Sequence, residues 1–310
     1  MRHTLSGITR RTALKLMAAA GGLALSGGAP AVRAEKSLRT REIPASGESI
    51  PVVGLGTART FDVGPGEAER APLYRVLEEF FAAGGRVIDT SPMYGTAETV
   101  VGDLLTEMKH PEVFYATKVW TRGERSGIRQ MERSAERMRT EVIDLMQVHN
   151  LVDWRTHLET LERWKAEGRI RYLGITHYVN SAFDELARIM KQRDLDFVQL
   201  PYNLANREAA DRLLPLAADR GIAVLVNEPF ETGALFGQVG DMEVPPWARE
   251  FGAETWAQFF LKFILARPEV TCVIPATSDP QHMADDMRAG MGALPDAQQQ
   301  ERMVKLWESL

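Results

Sequence analysis

Cysteine occurs once in 310 residues, at Cys272 between Thr271 and Val273. One thiol excludes an intramolecular disulfide, and in its apolar run it reads as a small buried hydrophobe. Histidine is also scarce, with six residues. No His, Asp or Glu cluster has ligand spacing, so no metal centre is expected and a metal-dependent barrel hydrolase is disfavoured. A G-x-G-x-x-G fingerprint after an early strand is missing as well. Gly54-Leu55-Gly56-Thr57 is too short and opens no helix, which counts against a Rossmann domain. Beyond residue 34 no apolar run reaches the roughly 20 residues of a bilayer span, and no basic run is present.

What is there begins with an unusual N-terminus. The first 34 residues hold five basic residues (Arg2, Arg10, Arg11, Lys15, Arg33) and no acidic one. An Ala/Gly-rich apolar run, Leu16–Ala29, leads to Val32 and Ala34 in the −3 and −1 places of a small-residue cleavage site. Thr9-Arg10-Arg11-Thr12-Ala13-Leu14-Lys15 resembles a twin-arginine export signal. The alternative is a disordered basic tail. The expected organisation is a signal peptide over 1–34 and one domain over 35–310. The expected location is the periplasm, with the twin-arginine export machinery as a partner and no stable membrane insertion after cleavage. Without those five residues the chain keeps 32 basic against 42 acidic side chains, a net charge of −10. Such a balance disfavours nucleic acid and anionic membranes as partners.

After residue 50 two textures alternate. The β-rich runs are Pro51–Leu55, Arg86–Asp89, Val113–Thr117, Leu145–His149, Arg171–Thr176, Phe197–Leu200, Ala223–Val226 and Thr271–Pro275. Helical periodicity marks Pro72–Gly84, Ser126–Thr140, Thr156–Glu167, Ser181–Lys191, Arg207–Arg220, Glu254–Arg267 and Pro280–Gly290. Pro72 suits a first helical turn, and Gly168 and Gly221 suit C-terminal caps. Repeated strand-then-helix units imply parallel strands with right-handed crossovers. Eight of them in one α/β domain fit a closed (β/α)8 TIM barrel. Asn227–Ala253, rich in Gly and Pro, reads as a loop over the barrel mouth.

Such barrels place their chemistry at the C-terminal strand ends. There the second strand brings Asp89, with Tyr94 on the following loop. The third brings Lys118 and the fourth His149. Singly, Asp89 and Lys118 read as a rim ion pair, Tyr94 as a packed loop residue and His149 as a satisfied strand-end side chain. Together they suit proton donation to a carbonyl. The ammonium would lower the phenol's pKa from about 10. Asp89 would orient Lys118, and His149 would hold the substrate oxygen.

These motifs, with Gly168-Arg169-Ile170-Arg171-Tyr172-Leu173-Gly174-Ile175, Gln199-Leu200-Pro201-Tyr202-Asn203 and Val273-Ile274-Pro275, resemble the aldo-keto reductase family over about residues 45–295. The resemblance implies a catalytic tetrad of Asp89, Tyr94, Lys118 and His149. It also implies NADP(H), or alternatively NAD(H), lying across the barrel mouth, and a small carbonyl or alcohol substrate. Thr57, His177 and Gln199 would meet the nicotinamide end, and Phe230, Gly233 and Leu235 the pyrophosphate. Thr277, Ser278 and His282 would reach the adenosine end. Phe61, Met93, Trp120 and Asn150 would line the substrate pocket. The chain departs from the family pattern at Thr176-His177, at Asn227 in place of an aromatic, and at Ala276, His282 and Asp285-Asp286. The leading expectation is a carbonyl reductase or alcohol dehydrogenase. The alternative is a cofactor-binding sensor of the same fold with little turnover.

Overall fold

The computed structural model describes residues 37–109 and 112–310, so the expected signal peptide lies outside the described residues. The described chain opens with an antiparallel hairpin of β1 (Thr40–Glu42) and β2 (Ser49–Pro51). Eight parallel strands follow: β3 (Leu55–Gly56), β4 (Val87–Asp89), β5 (Phe114–Val119), β6 (Ile143–His149), β7 (Ile170–Thr176), β8 (Phe197–Pro201), β9 (Ala223–Asn227) and β10 (Cys272–Val273). Each pairs with its sequence neighbour. Bridges Val53↔Val273 and Gly56↔Ala276 close the ring, giving the expected (β/α)8 barrel.

The helices are α1 (Glu67–Ala82), α2 (Ala97–Met108), α3 (Glu124–Met138), α4 (Trp154–Ala166), α5 (Phe183–Gln192), α6 (Ala209–Arg220), α7 (Ala234–Val239), α8 (Trp256–Leu265), α9 (Pro280–Ala289) and α10 (Ala297–Glu308). Their apolar faces pack on the outside of the barrel. Leu73, Val76, Leu77 and Phe80 of α1 are the clearest stripe, all at most 1% exposed. Gly221 is left-handed at the C-terminal cap of α6, and Gly168 is left-handed just beyond the end of α4.

Four sequence expectations need correction. Pro51 ends the hairpin rather than opening the barrel, because Ile43 and Ile50 turn the hairpin's apolar side into the barrel. Helix α1 starts at Glu67, with Glu67 and Glu69 in its first turn and Pro72 one turn in. The segment 227–253 is not all loop: it carries α7 and 3-10 turns at Glu231–Gly233 and Pro246–Phe251. Helices α2 and α10 escaped the periodicity reading. α10 is set by an Asp296–Gln299 capping box and buries only Met303, so it has almost no apolar stripe to detect.

Inside the barrel, period two orders the strands into layers. Val87, Phe114, Leu145, Tyr172, Phe197 and Leu225 form an apolar plug with Ile43 and Ile50 of the hairpin. One step further along the same inward columns come Asp89, Gln147, Gln199 and Asn227, while Lys118 stands two steps beyond Phe114, past Ala116. Register pairs Lys118 with Gln147, and His149 with Thr176. Gly174 leaves room in this layer: a Cβ there would stand 2.7 Å from the Phe197 carbonyl oxygen. The plug is sealed from below by polar ties to the hairpin. Tyr172 Oη donates to Glu48 Oε2 at 2.8 Å, and Arg41 donates to the carbonyls of Leu265 at the end of α8 and of Arg267 and Val270 beyond it.

On α9, Asp286 is 3% exposed, and burial and the neighbouring Asp285 push its carboxyl well above the usual range. A carboxyl raised in the folded state is penalised above the unfolded pKa of about 4 and not below it. Asp286→Asn therefore stabilises the cofactor-free protein at pH 7, by about 1–3 kcal/mol. The gain shrinks toward zero below pH 4. Thermal unfolding of both proteins across that range checks this; an equal gain at pH 3.5 and pH 7 would refute it.

Candidate active site

Asp89 ends β4 at 2% exposure and is the hub of the polar layer. Its Oδ1 accepts from Lys118 Nζ at 2.5 Å. Its Oδ2 accepts from Gln147 Nε2 at 3.1 Å and from Gln199 Nε2 at 3.0 Å. Lys118, fully buried on β5, also donates to the Thr90 carbonyl at 2.8 Å. Burial pulls its pKa down, but Asp89's charge and contacts from Asp89 and Tyr94 lift it above the ordinary lysine value. The ammonium is therefore charged at every physiological pH.

Tyr94 reaches in from the loop after β4. Its ring centroid lies 5.1 Å from Lys118 Nζ and meets the His149 ring edge-on at 5.8 Å. The loop is shaped by Gly95 at φ 57, packed against the Asp62 carboxylate. Asp62 Oδ1 accepts from Thr96 N at 2.9 Å and Thr96 Oγ1 at 3.1 Å. A side chain at Gly95 would collide with that carboxylate.

The expected lowering of the phenol's pKa is overturned. Burial raises Tyr94 above 10, and the opposing charge of Lys118 does not outweigh it. Asp89, which partly neutralises Lys118, adds to the rise. The phenol thus holds its proton, as a donor requires. Burial, with the charge of Lys118 and then His177, drives His149 down to about 3. His149 Nδ1 lies 3.0 Å from Ser91 Oγ, which itself accepts from Met93 N at 3.2 Å. Met93 N occupies one lone pair of the Ser91 hydroxyl and leaves its proton available to Nδ1; with that proton donated to Nδ1, the neutral ring carries its own proton on Nε2.

The mouth opens into a cleft of about 660 Å³. Asp89, Tyr94 and His149 line its floor together with Met93, Asn150 and Thr57; Lys118 sits just behind them. Thr57 Oγ1 donates to the Asp89 carbonyl at 3.1 Å. Gln199, Phe230 and Gly233 line it further along. Other expected contacts lie outside the lining. Phe61 is fully buried in the core, because its residue turns inward under the Thr57 loop. Trp120 stands at the rim, 40% exposed, its ring 6.5 Å from that of His149. Leu235 is buried under α7, and His177 Nδ1 accepts from the amides of Tyr178 and Val179. Thr277 turns onto Asp279 N, whereas Ser278 and His282 face solvent. Sequence reading missed Arg59, Tyr178, Glu228 and Phe236, which also line the cleft. Arg59 lies three residues beyond the end of β3 at Gly56, so its place after a strand end was the available signal.

The arrangement brings a protonated phenol and a neutral imidazole to one face of an open cleft, with a charged ammonium buried behind them. That set donates hydrogen bonds and a proton to an oxygen. The Aldo/keto reductase family model matches residues 52–308. The chain belongs to the aldo/keto reductase family and is an oxidoreductase of that class. It is 29% identical over 243 residues to the NADH-specific methylglyoxal reductase of Escherichia coli K12, covering 67% of this chain and 73% of that one. Similarity to the methylglyoxal reductase YeaE of the same organism is 29% over 199 residues, 62% of this chain and 69% of the relative. Among solved structures, an aldo-keto reductase from Klebsiella pneumoniae in complex with NADPH superposes with a TM-score of 0.72 at 24% identity, over 88% of this chain and 95% of that one.

A histidine held near 3 does not titrate where an unperturbed one would, near 6.5. The His149 ring nitrogens, followed by NMR, are expected to show no protonation between pH 5 and 8. In the folded state the proton is disfavoured, so His149 contributes stability above pH 6.5 that is lost as pH falls toward 3. A His149 transition centred near pH 6.5 would contradict the burial argument.

Proposed function

We propose that the protein reduces small aldehydes and ketones with NADP(H) or NAD(H), using Tyr94 as proton donor. The observation that carries this reading is the buried Asp89–Lys118 pair set behind a protonated Tyr94 and a neutral His149. The cleft suits a nicotinamide dinucleotide. It is large, it contains Arg59 with no ion-pair partner among the described residues, and Asn227 Oδ1 is buried at its wall without a hydrogen bond.

When bound, the cofactor supplies a hydride to the carbonyl carbon. The chain's own residues handle the oxygen. His149 Nε2–H donates to it and fixes its place. As the C=O π pair moves onto the oxygen, the phenolic proton of Tyr94 transfers to it and completes the alcohol. Lys118 stabilises the phenolate left behind, and Asp89 keeps Lys118 in position. Acid catalysis of this kind contributes roughly 10²–10⁴ in rate, with the remainder from placement and electrostatics.

The relatives support either cofactor, since one is named NADH-specific and another was solved with NADPH. On α9, where His282 stands, the one Lys or Arg side chain is Arg288, and it is paired with Asp285. Asp285 is engaged by Thr255, Gln258 and Arg288. Without a bidentate arginine clamp on a 2′-phosphate, discrimination is modest. The decisive comparison is wild type against Tyr94→Phe, titrated by fluorescence with both cofactors and assayed on several aldehydes. Turnover is expected to fall at least a hundredfold in the variant, with cofactor affinity retained and the two cofactors within about a hundredfold of each other. Near-wild-type turnover by Tyr94→Phe removes the assignment.

Export to the periplasm by the twin-arginine route completes the reading, supported by Arg10-Arg11 and the apolar run behind them. A folded, cofactor-loaded barrel gains stability by mass action, because the ligand binds only the native state. Replacing both arginines by lysine is expected to retain the protein in the cytoplasm on cell fractionation. Unchanged export would show that the signal is of another type.

A further inference from the structure

Asn150 follows His149 directly, where β6 leaves the barrel mouth, and it lines the cleft beside Met93 and Tyr94. Its backbone is left-handed at φ 51, the first of three such residues with Leu151 and Asp153. Asparagine tolerates this region better than most residues. The turn is held from outside the cleft. Asp153 Oδ2 accepts from Gly123 N at 2.7 Å, Asp153 Oδ1 accepts from Thr156 Oγ1 at 2.9 Å, and Val152 N donates to the His149 carbonyl at 3.1 Å. Strain of this kind persists where surrounding structure imposes it, and it clusters at ligand sites. Here it places an asparagine, rather than a hydrophobe, on the cleft lining next to His149.

That amide is unused by the protein. Asn150 Oδ1 is buried without a partner, and no described residue hydrogen-bonds its Nδ2. An amide offers two donors and an acceptor with two lone pairs, and leaving a buried one unmade is unfavourable. Its neighbours on the cleft floor are already committed: Ser91 to His149 and Met93 N, and Thr57 to the Asp89 carbonyl. Asn150 is the open polar side chain next to His149, one residue or about 3.8 Å along the backbone.

We infer that Asn150 determines specificity by hydrogen-bonding a second oxygen on the carbon next to the reacting carbonyl. The substrate class is therefore α-oxo- and α-hydroxy-carbonyl compounds. Nδ2 donates to an oxo oxygen, and the amide both donates to and accepts from a hydroxyl. The inference rests on the carbonyl-reductase reading above and narrows it. It assigns His149 and Tyr94 to the reacting oxygen and Asn150 to its neighbour, so that one end of the molecule is selected for reduction.

The test measures kcat/KM for methylglyoxal and for propanal, which keeps the three carbons and the aldehyde but lacks the second oxygen. Wild type is compared with Asn150→Gly, which accepts the left-handed backbone without an amide. Asn150→Asp adds a side chain of the same shape without the N–H donor. The ratio of methylglyoxal to propanal is expected to fall about tenfold or more in both variants, chiefly through KM for methylglyoxal. Equal losses on the two substrates would mark Asn150 as a structural turn residue and overturn the inference. So would an unchanged ratio. A wild-type enzyme that reduces both substrates equally well also overturns it, while the carbonyl-reductase reading stands. A wild-type enzyme that reduces neither, with either cofactor, brings down that reading and the inference with it.

Discussion

The ion pair between Lys118 and Asp89 is buried almost completely, with side-chain exposures of 0% and 3%. Removing two such charges from water costs several kcal/mol per ion, and their attraction compensates only when the remaining hydrogen-bonding capacity is filled. Here it is filled by neighbours on two further strands, β6 and β8, and by the residue that follows β4. Gln147 and Gln199 donate to the carboxylate, and the Thr90 carbonyl receives a second ammonium proton. The pair therefore demands its surroundings. Deleting either partner leaves an uncompensated buried charge, and shifting one strand by a residue would send Asp89 or Lys118 to the helix-facing side.

That demand explains the layering of the barrel. The inward positions below the pair are apolar, and the hairpin closes them off with Ile43 and Ile50. A dry plug beneath the polar layer keeps water from the ammonium on one side, so the charge acts toward the cleft on the other. The low dielectric strengthens the field that Tyr94 and His149 feel. It also explains why the two respond as they do. Both are forced toward their neutral forms by burial, and Lys118 opposes this at Tyr94 while reinforcing it at His149. A neutral donor phenol and a neutral donor imidazole beside a fixed positive charge suit an oxygen on which negative charge develops during reaction.

The loops make the site particular. Gly95 and Asp62 set the Tyr94 loop, and the left-handed run beginning at Asn150 sets the loop after His149. Both are anchored by side-chain carboxylates bonded to backbone amides, Asp62 to Thr96 and Asp153 to Gly123. Precision at the cleft is thus obtained from groups outside the reacting set.

Strand order, the barrel and the positions of Asp89, Lys118 and His149 were legible in the chain because they follow from local periodicity. Alternation in a strand and the strand's end are properties of a few consecutive residues, and they project those side chains inward at the mouth. Helix α2 escaped the reading although it carries a stripe of Val100, Val101, Leu104 and Leu105. The hairpin did not announce itself because it is tied to distant residues, and α10 did not because it buries only Met303 and starts on a capping box rather than a repeating apolar pattern. Only the tertiary structure decided the protonation balance, because it depends on how much water each group loses. The sequence shows that Lys118 is near Tyr94 in kind; depth of burial decides that the phenol keeps its proton. The same holds for Phe61 and Asn150. Both follow strand ends, but the backbone turns one into the core and sets the other on the cleft lining, and backbone direction after a strand is set by what packs around it.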